Sequence, residues 1–478
     1  MMKIALLTLG CKLNYAETST YERGFVDAGL EVVGWEEKAD VYLVNTCSVT
    51  ERAEKKCRNV IRKVHRVSPE AKIVVTGCYA ELRKAELEAI EGVALVFGSF
   101  DKPRVVPDTL TMLGLDIEGS RRVLPPEGPG CPQSEEFNGR QGVLPPKGLA
   151  ARGQVNGRGP SLAMGGIYPS GAIHPDGPKD QSVILEAYSS EERTRSFLKV
   201  QDGCDNFCAY CTVPFARGRS RNIPIESAVR QAREIAATGI KEIVITGVNT
   251  GDFGKTTGES FLDLLKHLND VEGIERYRIS SIEPNLITEE IVDWIASGTK
   301  VQPHFHIPLQ SGSDEILSRV RRRYTTGFFA DRIDYIRSKM DPKDGDLSKP
   351  FVFFGIDVIT GLPGETEELF EETYSFLRDR IRPAFIHIFP YSRRPGTVAA
   401  GWKDQVRDSV KTERVARLEQ LCSELHTAFV EKNRGHRSQV IWESDMKDGM
   451  MGGYSGNYIR VERPFDPKMV NTIEDVVL

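Results

Sequence analysis

The sequence predicts an α/β protein built from three folded parts and a linker. In residues 1–105, short apolar runs alternate with helical patterns, as in a doubly wound parallel sheet. Six further strand–helix units in residues 190–428 predict a partial βα barrel. Residues 429–478 contain short segments of alternating polar and apolar side chains, which predict a small β-barrel.

The composition is that of an ordinary soluble globular protein, with 40% hydrophobic and 27% charged residues. The net charge of -5 excludes a chain whose overall electrostatics attract nucleic acid, so any basic patch is local. No segment has the order of a signal peptide or the length of a membrane span. We therefore expect a cytoplasmic protein without membrane contact, where clustered cysteines indicate metal binding or catalysis.

The N-terminal part contains three short aliphatic runs of the kind that form strands buried on both faces. These runs span residues 3–8, 41–45 and 72–76, with a fourth candidate at 94–97 and helical patterns around 17–28 and 50–67. A cysteine follows each of the first three runs, namely Cys11, Cys47 and Cys78. Because the carboxyl ends of parallel strands share one edge of a sheet, the topology predicts that these three thiols meet. The alternative is that they are small buried residues at strand ends.

Residues 106–189 are predicted to be a flexible linker. Residues 121–180 contain ten prolines and twelve glycines, and V-L-P-P-x-G occurs twice, at 123–128 and 143–148. Such a composition does not bury enough apolar surface to form a core. We expect Cys131 in this segment to be a free thiol. Cys57 and Cys422 lie within helical patterns elsewhere and are predicted to serve packing.

A second set of three cysteines follows the first predicted barrel strand. Cys204, Cys208 and Cys211 have the spacing C-x3-C-x2-C. Three thiolates this close cannot all pair as disulfides, but they can converge on one metal centre. A 4Fe–4S cluster has four irons, so three cysteines leave one iron open to another ligand. Zinc is the alternative, although zinc prefers four ligands and paired C-x2-C knuckles, and no second knuckle lies nearby.

The C-x3-C-x2-C motif, with Tyr210 before its last cysteine, resembles the radical S-adenosylmethionine (SAM) superfamily. In that superfamily the open iron binds the amino and carboxylate groups of SAM. The segments T-G-V-N and S-S-I-E resemble SAM-contact strands of the superfamily, and this resemblance implies contacts from Gly247 and Ser281. Residues 353–365 resemble its glycine-containing strand near the adenine.

The segments TLGCKLNYAETS, VNTCSVT and VTGCYAE resemble the N-terminal domain of the methylthiotransferases, radical SAM enzymes that attach a methylthio group. Lys12, after the first cysteine, resembles the branch that acts on threonylcarbamoyladenosine in tRNA. The other two branches act on isopentenyladenosine in tRNA and on an aspartate of a ribosomal protein. The C-terminal strands resemble the TRAM module, a small RNA-binding barrel.

This resemblance implies SAM and two 4Fe–4S clusters as cofactors. Cys204, Cys208 and Cys211 would hold the SAM-binding cluster, and Cys11, Cys47 and Cys78 an auxiliary cluster. A radical formed from SAM would remove hydrogen from carbon 2 of a modified adenine, a bond too inert for acid–base chemistry.

Further expectations concern the partners of the protein. The expected partners are a tRNA anticodon stem–loop, a reductase or flavodoxin-type electron donor and a sulfur donor, with the protein a monomer. The alternatives are the two other branches and a non-catalytic iron–sulfur electron carrier or RNA-binding module.

Three arginine groups are candidates for phosphate contacts, or else are solvated surface charge. They are Arg217, Arg219 and Arg221; Arg321 to Arg323; and Arg393 with Arg394. For the first group, the adjacent cysteines also suggest a role toward the substrate or the SAM carboxylate. His306 lies in the segment H-I-P-L-Q-S-G and is interpreted as a core histidine, not as a catalytic base.

Overall fold

A computed structural model describes residues 1–115, 184–190 and 194–478 of the chain. The middle of the predicted linker, with Cys131, lies outside these ranges. No helix in the described part of the chain is long and apolar enough to cross a lipid bilayer.

The N-terminal part is a five-stranded parallel sheet of order β2-β1-β3-β4-β5. Its strands are β1 (Lys3–Thr8), β2 (Glu31–Val33), β3 (Val41–Thr46), β4 (Lys72–Gly77) and β5 (Val93–Phe97). Its helices are α1 (Lys12–Asp27), α2 (Glu51–Val67), α3 (Cys78–Leu82), α4 (Lys84–Glu88) and α5 (Val105–Met112). The predicted doubly wound sheet is confirmed, and the short edge strand β2 had no sequence signal of its own.

Helices cover both faces of this sheet because its central strands are apolar on both sides. Every residue of β3 is buried. Ile61 of α2 belongs to the core on one face, and Phe25 of α1 belongs to the core on the other. Helix α1 begins at Lys12, five residues before the predicted helical pattern, so the segment after Cys11 is helical at once.

The central part is a partial barrel of six parallel strands, as predicted. Strands β7, β10 and β11 form one parallel group and β12, β13 and β14 another. Two isolated bridges, Tyr277 with Val301 and Ser281 with His306, join the groups. The strands are β6 (Ala187–Tyr188), β7 (Arg195–Lys199), β8 (Gln201–Asp202), β9 (Arg221–Asn222), β10 (Glu242–Thr246), β11 (Arg276–Ile279), β12 (His304–Gln310), β13 (Phe353–Thr360) and β14 (Phe385–Pro390).

The helices of the barrel alternate with these strands and cover their outer face. They are α6 (Val213–Arg217), α7 (Ile225–Ala237), α8 (Phe261–Asn269), α9 (Glu289–Ala296), α10 (Asp314–Arg319), α11 (Thr326–Met340), α12 (Glu367–Ser375) and α13 (Asp408–Lys432). One continuous apolar core joins most of these helices to the strands and includes Ile243 and Ile356. Alternate strand residues point the other way, toward the inside of the barrel.

The C-terminal part is an antiparallel half-barrel sheet of order β17-β16-β15-β18. Its strands are β15 (Arg437–Lys447), β16 (Met450–Ser455), β17 (Arg460–Pro464) and β18 (Ile473–Val477). Buried Arg276 and Arg278 of the barrel donate hydrogen bonds to backbone carbonyls of this sheet, including that of Ser455 at 3.1 and 2.8 Å. Those bonds fix the sheet against β11.

Candidate functional site

The three N-terminal cysteines follow three neighbouring strands at the carboxyl edge of the sheet. Cys11 precedes α1, Cys47 follows β3, and Cys78 is the first residue of α3. Burial is the main cause that raises the pKa of the Cys47 thiol to about 12, and the neighbouring Cys78 and Cys11 contribute to this rise. The three thiols that the strand pattern predicted to meet therefore lie within electrostatic range of one another.

The backbone before Cys78 requires a glycine. Gly77 has a φ of 105°, in the left-handed region, and a Cβ there would lie 2.4 Å from the Thr46 carbonyl oxygen. Asn14 ties the same loops together, because its Nδ2 donates to Asn45 Oδ1 at 2.8 Å and to the Thr46 carbonyl at 3.0 Å. Local backbone and side-chain geometry thus hold the strand ends that carry these cysteines.

Cys204, Cys208 and Cys211 lie in the loop between β8 and α6. The backbone N–H of Asn206 points at Cys204 Sγ, 3.5 Å away, and that of Val213 points at Cys211 Sγ, 3.4 Å away. Burial is the main cause that raises the pKa of Cys204 to about 12, and Cys208 adds to it. Backbone donors aimed at sulfur are suited to thiolate ligands, whose charge they stabilise.

One buried arginine contacts each cysteine set. Arg217 Nε donates to Cys78 Sγ at 3.2 Å, and Arg322 Nη1 donates to Cys208 Sγ at 3.2 Å. Their side chains are only 2% and 3% exposed. A fixed cation against a buried sulfur favours the thiolate form, which is the form that binds iron.

Arg217 belongs to a buried charge network that joins the N-terminal sheet to the barrel. The network contains two carboxylates, Glu17 and Asp202, and four bases, Lys102, Lys199, Arg217 and Arg221. Four formal positive charges against two negative charges leave a surplus of two beside Cys78. The negative charge of thiolates that bind a metal cluster would offset this surplus of positive charge.

The spacing of the thiols does not suit a single zinc ion. In the described ranges, the one set of three His, Cys, Asp or Glu donors that all lie within 4.8 Å of each other is His306, Asp357 and His387. Thiolates that share one tetrahedral zinc lie about 3.8 Å apart, given a Zn–S bond of about 2.3 Å. A 4Fe–4S cluster instead places each thiolate on a different iron. Both cysteine sets therefore fit clusters better than single ions.

A large cavity lies between the barrel strands, the N-terminal part and the C-terminal sheet, and we call it the barrel cavity. It has a volume of about 1690 Å³, and its walls include Phe197, Arg278, His306 and His387 of the strands and Lys12 of α1. Further wall residues come from the N-terminal part, between Leu6 and Gly34, and from the C-terminal part, which supplies Tyr454, Tyr458 and Arg460. Ligand pockets for small molecules have volumes of about 300–1,000 Å³. The barrel cavity therefore has room for a nucleotide together with a cofactor.

His306 lies in the wall of this cavity. Its Nε2 is 2.5 Å from Asp357 Oδ1, and its ring stacks on that of His387 with centroids 4.7 Å apart. The side chain is 21% exposed, so it faces the cavity and not the apolar core. The interpretation of His306 as a core histidine is therefore wrong. Sequence reasoning also missed His387 and Asp357 on the adjacent strands.

Gly247 and Ser281 lie just after β10 and β11, at the carboxyl ends of two adjacent strands. The Ser281 carbonyl accepts hydrogen bonds from Thr250, and a Cβ at Gly247 would lie 2.8 Å from Gln201 Oε1. The placement agrees with a position at the ligand-binding edge of a βα barrel. Contact of these residues with SAM stays a prediction.

The arginine groups divide into buried and exposed members. Arg217, Arg221, Arg322 and Arg394 are buried and make ion pairs within the protein, so phosphate binding by these four is wrong. Arg219, Arg321, Arg323 and Arg393 are exposed and stay candidates. Sequence reasoning missed Glu17 as well. Its position on the apolar face of α1 was the available signal, because a charged residue there needs a buried partner.

Comparisons with known proteins show the class of proteins to which this chain belongs. Residues 3–98 match the family described as uncharacterized protein family UPF0004, and residues 198–377 match the radical SAM superfamily. The structure of the radical SAM methyltransferase TsrM from Kitasatospora setae with cobalamin and a [4Fe–4S] cluster is similar, with a TM-score of 0.51 at 15% identity. That similarity covers 95% of this chain and 81% of TsrM. The chain is a radical SAM protein.

Relatives that match nearly the whole chain identify the family within this class. The threonylcarbamoyladenosine tRNA methylthiotransferase MtaB of Bacillus subtilis is 37% identical over 96% of this chain and 90% of the relative. MtaB of Aquifex aeolicus is 34% identical over 97% of each. A tRNA-2-methylthio-N(6)-dimethylallyladenosine synthase of Wolbachia sp. subsp. Brugia malayi is 30% identical over 93% of this chain and 88% of that protein. The chain belongs to the MtaB family of radical SAM methylthiotransferases, which confirms SAM and 4Fe–4S clusters as its cofactors.

Proposed function

We propose that this protein methylthiolates carbon 2 of the adenine of N6-threonylcarbamoyladenosine, next to the anticodon of tRNA. The observation that carries the proposal is the second set of three cysteines beside a radical SAM barrel, in a chain 37% identical to an MtaB enzyme. One metal centre is sufficient to form a radical from SAM. A second centre is needed where sulfur must also be delivered to the substrate.

The two cysteine sets have separate proposed roles. Cys204, Cys208 and Cys211 hold the cluster that binds SAM, with contacts to SAM from Gly247 and Ser281. Cys11, Cys47 and Cys78 hold the auxiliary cluster. When bound, these groups supply a carbon-centred radical and the sulfur that is transferred.

The protein's own residues supply position and electrostatics. Arg217 and Arg322 hold the sulfur atoms of Cys78 and Cys208 in fixed orientations, each at 3.2 Å. The walls of the barrel cavity surround the substrate base. Tyr454 and Tyr458, whose rings stack with centroids 4.8 Å apart, extend the wall toward the C-terminal sheet. Aromatic faces of this kind bind unstacked bases in single-stranded RNA loops.

Each proposed role belongs to a separate segment of the chain. Residues 1–105 hold the auxiliary cluster, 190–428 form the radical SAM core, and 429–478 bind RNA. The protein acts as a monomer in the cytoplasm on the anticodon stem–loop. It receives electrons from a reductase or flavodoxin-type donor and sulfur from a separate donor.

A second candidate substrate is isopentenyladenosine in tRNA. It is favoured by the 30% identity to the Wolbachia dimethylallyladenosine enzyme. Its N6 substituent is an uncharged hydrocarbon, whereas the threonylcarbamoyl group carries a carboxylate. The two substrates therefore demand different surroundings in the barrel cavity.

The test is mass spectrometry of nucleosides in tRNA from cells with and without this gene. We expect loss of the methylthio form of threonylcarbamoyladenosine and accumulation of its precursor. The intact gene should restore the modification, and the Cys204→Ala variant should not. Loss of methylthio-isopentenyladenosine instead would assign the second substrate. If neither nucleoside changes, both tRNA substrates are excluded and the ribosomal-protein aspartate becomes the next candidate.

A further inference from the structure

Among the residues that the structure describes, the barrel cavity has one Lys or Arg side chain without an ion-pair partner. Four such side chains of the described residues line it, those of Lys12, Arg195, Arg278 and Arg460. Three are ion-paired, Arg195 with Glu242 and Glu443, Arg278 with Glu242, and Arg460 with Glu462. In the described ranges the Lys12 side chain makes no hydrogen bond and no ion pair. Its ammonium group is therefore free to bind an anion that enters the cavity.

The surroundings of Lys12 do not supply such an anion. The Asp357 carboxylate and the Cys11 thiol attract it, but Asp357 Oδ1 is held by His306 Nε2 at 2.5 Å and lies beyond ion-pair distance from Lys12, and the Cys11 sulfur is assigned to the auxiliary cluster. Arg195 and Arg278 repel Lys12 from the same cavity wall. The Lys12 side chain is exposed within the cavity, so a ligand can reach it. A site with this excess of positive charge selects an anionic group.

Lys12 is also next to the proposed chemistry. It follows Cys11 directly and is the first residue of α1, whose N-terminus adds a positive partial charge. A substrate group bound to Lys12 therefore lies beside the loop that would deliver sulfur. Such contact would position the adenine and would also read the substituent on its N6.

We propose that the Lys12 ammonium binds the carboxylate of the threonylcarbamoyl group and so selects this substrate over neutral N6 substituents. This inference rests on the proposed function. Threonine attached through its nitrogen keeps its α-carboxylate, and an isopentenyl group has neither charge nor hydrogen-bonding atoms. A substrate that lacks the anion leaves Lys12 desolvated and unpaired, which is the strongest way for a site to reject an analogue.

The experiment compares two synthetic anticodon stem–loops on the reconstituted holoenzyme. One carries threonylcarbamoyladenosine, and the other carries its primary amide, which has nearly the same shape without the charge. Binding is measured by fluorescence anisotropy, and product is measured by mass spectrometry. We expect the wild-type protein to bind the acid about 10- to 100-fold more tightly than the amide, as for a charge-assisted hydrogen bond.

Variants of Lys12 assign the preference to this residue. Lys12→Gln should bind acid and amide equally, and Lys12→Arg should keep the preference. Lys38→Gln removes the same charge from an exposed site before β3, away from the cavity, and should behave like the wild type. Iron content and SAM cleavage without RNA are measured for each variant, so that loss of a cluster is recognised.

The outcomes separate the inference from the proposed function. If the wild type methylthiolates the acid but binds the amide equally well, the Lys12 inference is overturned whatever the variants do. A preference that persists in Lys12→Gln also overturns it. If the wild type does not methylthiolate the acid at all, the proposed function itself fails.

Discussion

At the scale of single residues, burial separates a packing thiol from a candidate ligand. Cys57 is fully buried in the core beneath α2, and its thiol donates to the Cys47 carbonyl at 3.8 Å. Cys47 is only partly buried, and the thiols of Cys78 and Cys11 act on it. A ligand must point its sulfur toward the metal centre that the other ligands share. The Cys57 thiol instead points at the Cys47 carbonyl, to which it is hydrogen-bonded.

The cysteine assignments predict how iron content changes on substitution. Cys47→Ala should lower iron from about eight to about four atoms per chain and retain SAM cleavage, because the other cluster stays intact. Cys204→Ala should lose a similar amount of iron and abolish SAM cleavage. Cys57→Ala is the matched control and should keep the full content. The readouts are iron analysis and deoxyadenosine formation, and half-loading of Cys57→Ala would contradict the assignment.

At the scale of elements, α1 connects the N-terminal sheet to the barrel through a buried carboxylate. Glu17 Oε1 accepts from Lys102 at 2.7 Å and Lys199 at 2.8 Å, and it lies 3.2 Å from Arg217 Nη1. Burial alone would raise the pKa of Glu17, but these three cations hold it well below its usual value. The carboxylate is therefore charged at every physiological pH and holds the cations together.

We expect Glu17→Gln to lower the free energy of unfolding by roughly 3–5 kcal/mol, since it leaves buried cations without their counter-ion. A depressed pKa gives stability that is complete above the unfolded value of about 4.3 and is lost only as pH falls toward the folded value. The deficit should therefore be equal at pH 6 and pH 8. Anaerobic urea unfolding followed by tryptophan fluorescence measures it.

Asp27→Asn is the control for this experiment, because Asp27 is exposed at the end of the same helix. Its effect should stay within about 0.5 kcal/mol, as is usual for exposed positions. A Glu17→Gln protein as stable as this control would show that the network does not hold the two parts together.

At the scale of the whole molecule, the C-terminal sheet closes the barrel cavity because buried arginines dock it. Arg276 is fully buried, pairs with Glu242 at 2.9 Å, and donates to the carbonyls of Gln439, Tyr454 and Ser455. Burial opposes ionisation of Glu242, but Arg278, Arg276 and Arg195 lower its pKa to about 2. The docking charges therefore persist throughout the neutral pH range.

Arg276→Met should release the C-terminal sheet, because it leaves buried carbonyl groups unpaired. We expect faster proteolysis within residues 437–478, weaker binding of anticodon stem–loop RNA, and unchanged SAM cleavage without RNA. Limited proteolysis and anisotropy measure the first two effects. Arg437→Met, at an exposed position of β15, is the control for proteolysis. Equal protease resistance of the two variants would contradict docking through Arg276.

Much of the fold followed from local patterns in the sequence. The aliphatic runs predicted the parallel strands that carry Cys11, Cys47 and Cys78, and the C-x3-C-x2-C spacing predicted the second set. Each of these signals lies within a few neighbouring residues, where strand periodicity and ligand spacing are visible. Helix α1 begins earlier than predicted. Its first turn lacks the apolar spacing that marks a helix, because Asn14 in this turn is hydrogen-bonded to Asn45 near the end of β3.

The sequence by itself determined most of the strands and helices and which thiols gather, because periodicity and strand direction are local properties. Only the tertiary structure decided which charges are paired. Glu17 and Arg217 are 200 residues apart in the chain and 3.2 Å apart in the fold. Among the described residues, Lys12 likewise has no ion-pair partner, in a cavity whose walls come from three parts of the chain. Ion pairing and cavity shape depend on contacts between distant segments, and no sequence window contains both partners.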